Sequence, residues 1–165
     1  MPCLFVTSIE MKKTPVLGQI VTLAGCLFVE RRSKANIRKE IKNIKDTMEQ
    51  GISITVFPES TSTNAGKLLP FKRSLFEAAK LADVHVKPVV INYTHISGFK
   101  FNKSNRDSIC WYGAMEFAPH LIKLCLEKNV DATITFGNPI LAKDSTDLRD
   151  QSFNFINERF INLEK

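Results

Sequence analysis

Ile52-Ser53-Ile54-Thr55-Val56-Phe57 is a run of apolar and β-branched residues, Ser53 apart, that stops at Pro58-Glu59. Such a run reads as a buried strand of the kind parallel sheets are built from. Proline has no N–H to give to a ladder, so Pro58 ends the strand. Ser60-Thr61-Ser62-Thr63-Asn64-Ala65-Gly66 follows, a loop of hydroxyl and amide side chains. Leu69-Pro70-Phe71-Lys72-Arg73 then leads into a helix with a cationic start. A polar loop at the carboxyl end of a buried strand is where α/β proteins place their chemistry.

The flanking sequence supplies the rest of such a fold. Leu4 to Ile9 reads as a strand, Pro15 to Leu23 as a short helix ended by Gly25, and Cys26 to Val29 as a second strand. Ser33 is a candidate N-cap for a helix with Ile37, Ile41, Ile44 and Met48 on one face and Gly51 at its stop. The lysines of that helix read as a solvated face. Lys72 to Leu81 is a helix that turns Leu75, Phe76 and Ala79 inward, and Val86 to Tyr93 is a strand broken at Pro88. Ser97 to Asp107 is loop-like, Ser108 to Tyr112 a further strand and Leu121 to Glu127 a short helix. Ala132 to Phe136 is an alternating strand, and Asp144 to Leu163 a final helix with Leu148, Phe155, Ile156 and Phe160 inward. Strands alternating with helices predict an α/β single domain over residues 1–165, with a mixed, largely parallel sheet flanked by helices.

The net charge of +6 favours acidic partners, namely phosphate-bearing molecules or anionic surfaces. Nucleic acid is not expected, because the basic residues are dispersed and not interleaved with aromatics. Cys3, Cys26, Cys110 and Cys125 form no CxxC pair and read as buried free thiols. The N-terminus lacks the basic segment and cleavage site of a signal peptide. The most apolar window, Thr14 to Val29, is too short and too interrupted to span a bilayer.

Three blocks together resemble the glycerolipid (lysophosphatidic-acid, or 1-acylglycerol-3-phosphate) acyltransferase family. Phe57-Pro58-Glu59-Ser60-Thr61 is similar to its Phe-Pro-Glu-Gly-Thr signature, with Ser60 in place of glycine and Ser62 where many members carry arginine. Gly25-Cys26-Leu27-Phe28-Val29-Glu30-Arg31 resembles its second block, and Val86-Lys87-Pro88-Val89-Val90-Ile91-Asn92-Tyr93 its fourth. The resemblance covers most of the chain. It implies a fold of that type and transfer of a fatty acyl group from a thioester, acyl-CoA or acyl carrier protein, to a lysophosphatidate-like acceptor in phospholipid biosynthesis. Arg31 would hold the acceptor phosphate through its fork of donors, helped by Glu59, Ser60, Thr61 and Lys72. No metal or bound cofactor is implied. The partners would be the lysophospholipid, the thioester and, peripherally, the cytoplasmic face of a membrane.

The family's base is a histidine followed, after four residues, by an aspartate. The residues five beyond His85, His95 and His120 are Val90, Lys100 and Cys125, so no such element occurs. By resemblance it is expected upstream of Met1, which makes this chain an acyltransferase domain without its N-terminal catalytic block. The alternative is a catalytically inactive remnant that binds lipid or phosphate. A small nucleotide-binding protein has less support, because no Gly-rich fingerprint follows any strand.

Overall fold

The computed structural model describes residues 3–15, 17–29 and 34–163, with the side chains of residues 34 and 35 excepted. Ser33, the candidate N-cap, lies outside these residues. The first strand, β1 (Cys3–Ser8), feeds directly into α1 (Ile9–Lys12), so Ile9 opens a helix instead of ending a strand. Then come α2 (Leu17–Leu23), β2 (Leu27–Val29), α3 (Lys34–Glu49), β3 (Ser53–Thr55) and α4 (Arg73–Leu81). They are followed by β4 (Val89–Ile96), β5 (Phe99–Lys100), α5 (Phe117–Cys125), β6 (Val130–Phe136) and α6 (Ser145–Arg159). Residues before Pro15 form α1, and the chain turns between it and α2. Gly18 permits that turn, since a Cβ there would stand 2.1 Å from the Lys12 carbonyl oxygen.

The α/β class read from the sequence is what the chain adopts, with a parallel sheet flanked by helices. The strands divide between two three-stranded sheets, β2-β1-β3 and β5-β4-β6. The first is all parallel. Its central strand pairs with β3 at Cys3, Leu4 and Phe5 and with β2 at Val6, Thr7 and Ser8. The second is antiparallel, from Val89 opposite Phe136 to Ile96 opposite Val130. Ser97 and Gly98 alone join β4 to β5, and a connection that short can close only an antiparallel pair.

The chain forms two compact units. The first (Met1–Pro58, Lys72–Val86, Ile140–Asp150) holds the parallel sheet. Its core is Val6, Val29, Ile44 and Ala78, with Ile41, Met48, Ile54 and Leu75 packed against them. The apolar stripe of α3 therefore lies where the sequence put it. Phe76, Ala78 and Ala79 are the buried residues of α4.

The second unit (Glu59–Phe71, Lys87–Pro139, Gln151–Lys165) holds the antiparallel sheet and a small core of Ile96, Phe101 and Cys110. Here the sequence reading needs correction in several places. The strand expected over Ser108 to Tyr112 does not form. Instead a 3-10 turn over Arg106–Ser108 lets the Arg106 carbonyl accept from the amides of Ile109 (3.1 Å) and Cys110 (2.7 Å), which curls the backbone out of any ladder. Tyr112 Oη then donates to Asp107 at 2.8 Å. The last helix ends at Arg159, not Leu163, because buried Asn92 takes over its end. Asn92 Nδ2 donates to the Arg159 carbonyl and its Oδ1 accepts from the Ile161 amide, at 2.8 and 2.9 Å. Helix α5 starts at Phe117, earlier than its periodicity suggested.

Pro88 does displace the strand it interrupts. In the first unit, Val86 makes an isolated bridge to Ile140. In the second, the Pro88 carbonyl accepts from Gly137 at 2.8 Å before β4 begins. The four cysteines are free, but only Cys110 is buried; Cys3 and Cys125 are exposed because strand and helix ends carry them. Among the described residues no helix is long and apolar enough to cross a membrane.

Candidate active site

The loop after β3 is built from its own backbone. At its base the Lys72 amide donates to the Pro58 carbonyl at 2.8 Å. Phe57 is 58% exposed, and its ring stacks on Phe5 with centroids 6.5 Å apart. Glu59, two residues on, is half-buried, and its Oε2 accepts from the Leu69 amide at 2.8 Å. Burial pushes the Glu59 carboxyl above the usual carboxylate range, and the Leu69 bond pulls it partly back. The carboxylate thus braces the loop by spanning it.

Ser60 has φ of 61°, in the left-handed region that favours glycine. This is the position where the resembling family carries glycine, and the backbone gives the reason for that glycine. Thr61 and Ser62 follow, both exposed. Asn64 Oδ1 accepts from the Gly66 amide at 2.9 Å, an Asx turn that carries Ala65 at φ 57°. Phe71 then anchors the loop, buried edge-on against Phe153 at 5.2 Å between centroids.

Of the residues assigned from sequence, Glu59, Ser60 and Thr61 share one loop in the second unit. Lys72 belongs to the first unit, where it is the exposed N-cap residue of α4 and makes no side-chain cap bond. A helix N-terminus presents unpaired amides and a partial positive charge, so Lys72 and Arg73 sit where anions are stabilised. Arg31, the expected phosphate ligand, lies outside the described residues.

The three histidines are far from one pattern. His85 and His95 are exposed, and His120 is buried in α5 with no partner on Nε2. Among the described residues none of them shares a hydrogen bond or ion pair with a carboxylate. Asp83, adjacent in sequence to His85, instead faces Lys80 at 3.9 Å.

The sequence reading missed a cavity of about 140 Å³ in the second unit. Thr63 and Ala65 of the motif loop line it with Ile91, Tyr93, Phe101 and Phe160. Burial holds the Tyr93 hydroxyl and, first among its causes, the Cys110 thiol above their usual values, so both stay neutral at physiological pH. The cavity offers an apolar bed with hydroxyls at Thr63 and Tyr93. Its one visible sequence signal was Asn64-Ala65-Gly66, whose turn brings the loop back toward the β4 residues.

The acyltransferase family profile matches residues 1–92. The lyso-ornithine lipid O-acyltransferase of Brucella abortus is 31% identical over 150 residues, which is 87% of this chain and 56% of that protein. The 1-acyl-sn-glycerol-3-phosphate acyltransferase of Neisseria gonorrhoeae is 33% identical over 97 residues, 59% of this chain and 38% of that protein. The crystal structure of the 1-acyl-sn-glycerophosphate acyltransferase PlsC from Thermotoga maritima superposes with a TM-score of 0.60 at 16% identity, covering 95% of this chain and 55% of that one. That likeness is one of fold. The chain spans about half the length of the curated relatives it matches.

Proposed function

This chain belongs to the acyltransferase family, and from that premise we propose that it serves the transfer of a fatty acyl group from a thioester, acyl-CoA or acyl carrier protein, to the hydroxyl of a lysophosphatidate-like lipid. The observation that carries the reading is the motif corner. Ser60 takes a left-handed conformation at the signature's glycine position, and Glu59 braces the loop against Leu69. A loop shaped this way presents hydroxyls and amides outward from Thr61 onward.

In this reading Arg31 and Lys72 neutralise the acceptor's headgroup, and the hydroxyl loop orients it. Holding the acceptor turns a two-body encounter into an oriented one. The attacking hydroxyl needs a base, which the family's His-x4-Asp element supplies. Attack on the thioester carbonyl breaks the carbon–sulfur bond, leaves the thiol and forms an ester. The protein works peripherally at the cytoplasmic face of a membrane, and its positive charge suits anionic lipid there.

A second reading concerns the acceptor. The relatives matched over 82–88% of this chain act, by name, on lyso-ornithine lipid, and the Neisseria enzyme, matched over 59%, acts on an acylglycerol phosphate. Ser62 in place of the arginine seen in many family members also removes a phosphate donor. A third reading, an inactive lipid-binding remnant, is favoured by the three histidines, none of which pairs with a carboxylate among the described residues.

The test is acyl transfer by this chain extended with a His-x4-Asp segment from a relative, assayed against lysophosphatidate and lyso-ornithine lipid. Turnover on lysophosphatidate, with Arg31→Ala raising its KM about ten- to hundredfold, supports the first reading. Turnover on the ornithine lipid alone supports the second. A folded extended protein that binds lysolipid but transfers nothing leaves the remnant.

A further inference from the structure

Helix α5 is apolar on both sides. Its inner side is Phe117, His120 and Leu124, one helical stripe in which His120 is buried at 9% exposed and the other two are half-buried. Ala118, Leu121, Ile122, Cys125 and Leu126 recur at the spacing of a second stripe, and all five are exposed. Ile122 is 64% and Leu126 79% exposed. A surface helix ordinarily carries charge on that side.

The β4–β5 turn adds a further apolar knob beside the end of α5. Ser97 and Gly98 have φ of 49° and 85°, the two-residue turn that best matches strand twist, so Phe99 is held firmly, 74% exposed. Ser97 ties this turn to the chain just after α5. Its amide donates to the Asn129 carbonyl (2.9 Å), its Oγ donates to Glu127 (2.7 Å) and the Lys128 amide donates to Oγ (2.9 Å). Glu127 is thereby engaged within the fold. Lys100, Lys123 and Lys128, all exposed, belong to the same segments.

We propose that α5 and the Phe99 turn form a docking surface for an anionic lipid bilayer, with Leu121, Ile122, Leu126 and Phe99 entering the interface and Lys100, Lys123 and Lys128 meeting the headgroups. This names the membrane-binding part of the reading above and rests on that reading only for the membrane. Three features favour a bilayer over a second protein. The apolar groups are separate knobs, not a groove. Lysine stems are suited to lie along apolar surface with their charge at the headgroups. The knobs together expose on the order of a few hundred Å², below the roughly 800 Å² per partner of a stable protein interface.

The experiment is co-sedimentation of the purified chain with vesicles of phosphatidylcholine, with and without phosphatidylglycerol, in the absence of lysolipid and thioester. Binding is expected on the anionic vesicles and should weaken with salt. Ile122→Asn with Leu126→Asn should lower the partition coefficient at least tenfold with an unchanged melting temperature. Lys123→Gln and Lys128→Gln should each lower it roughly fivefold, and only on anionic vesicles. In a Cys3→Ser, Cys26→Ser background, a polarity-sensitive fluorophore on Cys125 should shift to the blue on the same vesicles. Absence of binding, or equal binding by the asparagine pair, overturns the proposal. So does a self-association in ultracentrifugation that the asparagine pair abolishes, which would assign the stripe to a second copy. Binding that requires lysophosphatidate would point to the acceptor site instead. Acyl transfer is not measured here, so failure of the enzymatic reading leaves this result standing.

Discussion

The two units each close a core, and they differ in where the backbone is strained. In the first, Val6, Val29, Ile44 and Ala78 close a core between a parallel sheet and two helices, and Ala78 is fully buried. In the second, Ile96, Phe101 and Cys110 form a smaller core, and apolar side chains more than 40% exposed occur in both units, among them Phe5, Ile20, Leu23, Phe57, Leu81 and Leu141 in the first, and Ile91, Phe99, Ile122, Leu126, Ile134 and Phe136 in the second. Among the described residues, three of the four non-glycine residues with positive φ, Ser60, Ala65 and Ser97, belong to the second unit. The second unit keeps most of that left-handed strain, which persists only where the surrounding structure holds it.

The sharpest way to break that contrast is through the first core. Phe76 is 4% exposed, and Phe76→Ala should cost about 3–5 kcal/mol, read as a loss of denaturation midpoint with an unchanged slope. A cost below about 1 kcal/mol would mean that the first unit is no better packed than the second.

Strain in the second unit is the next lever. Ser60→Gly relieves a left-handed serine and should stabilise by up to about 1 kcal/mol, the gain limited by glycine's looser unfolded chain. A destabilised variant would show that Ser60 earns its place through its side chain.

Glu59 gives a smaller, pH-dependent effect. Its carboxyl is raised by burial, so folding favours the protonated form. Stability from this group is full below the ordinary carboxylate pKa and is lost as pH rises through the raised folded value. Glu59→Gln keeps an acceptor for the Leu69 amide and should melt slightly higher than the parent at neutral pH, with the difference closing in acid. A gap that widens in acid would contradict the burial argument.

The smallest effect on stability should come from Leu126, the exposed C-cap residue of α5. Leu126→Ser should change unfolding free energy by no more than about 0.5 kcal/mol, since little of the side chain leaves a core. A cost of several kcal/mol would place Leu126 in a packed environment.

Much of this was legible in the sequence. The stripe of α3, the inward face of α4 and the polar loop after Pro58 follow from local patterns, which act within a few residues. The buried strand read over Ile52 to Phe57 is corrected to β3 over Ser53–Thr55, an edge strand with Ser53 exposed, because the sheet offers it a neighbour on one side only. The serine at the signature's glycine position was visible as a departure, and its left-handed backbone is the structural counterpart. Glu59 was read as a ligand-side carboxylate. Its partner proved to be the amide of Leu69, ten residues on, a pairing that no local pattern encodes.

What the tertiary structure decided was everything set by contact between distant segments. Asn92 ends α6 by donating to a carbonyl 67 residues away and accepting from an amide 69 residues away. The strand expected over Ser108 to Tyr112 lost to a turn held at Arg106. The second stripe of α5 reads as ordinary core in sequence, because an apolar residue looks the same whether or not a neighbour arrives to cover it. Periodicity reports which side chains share a face; only the packed chain decides which face is left to the solvent.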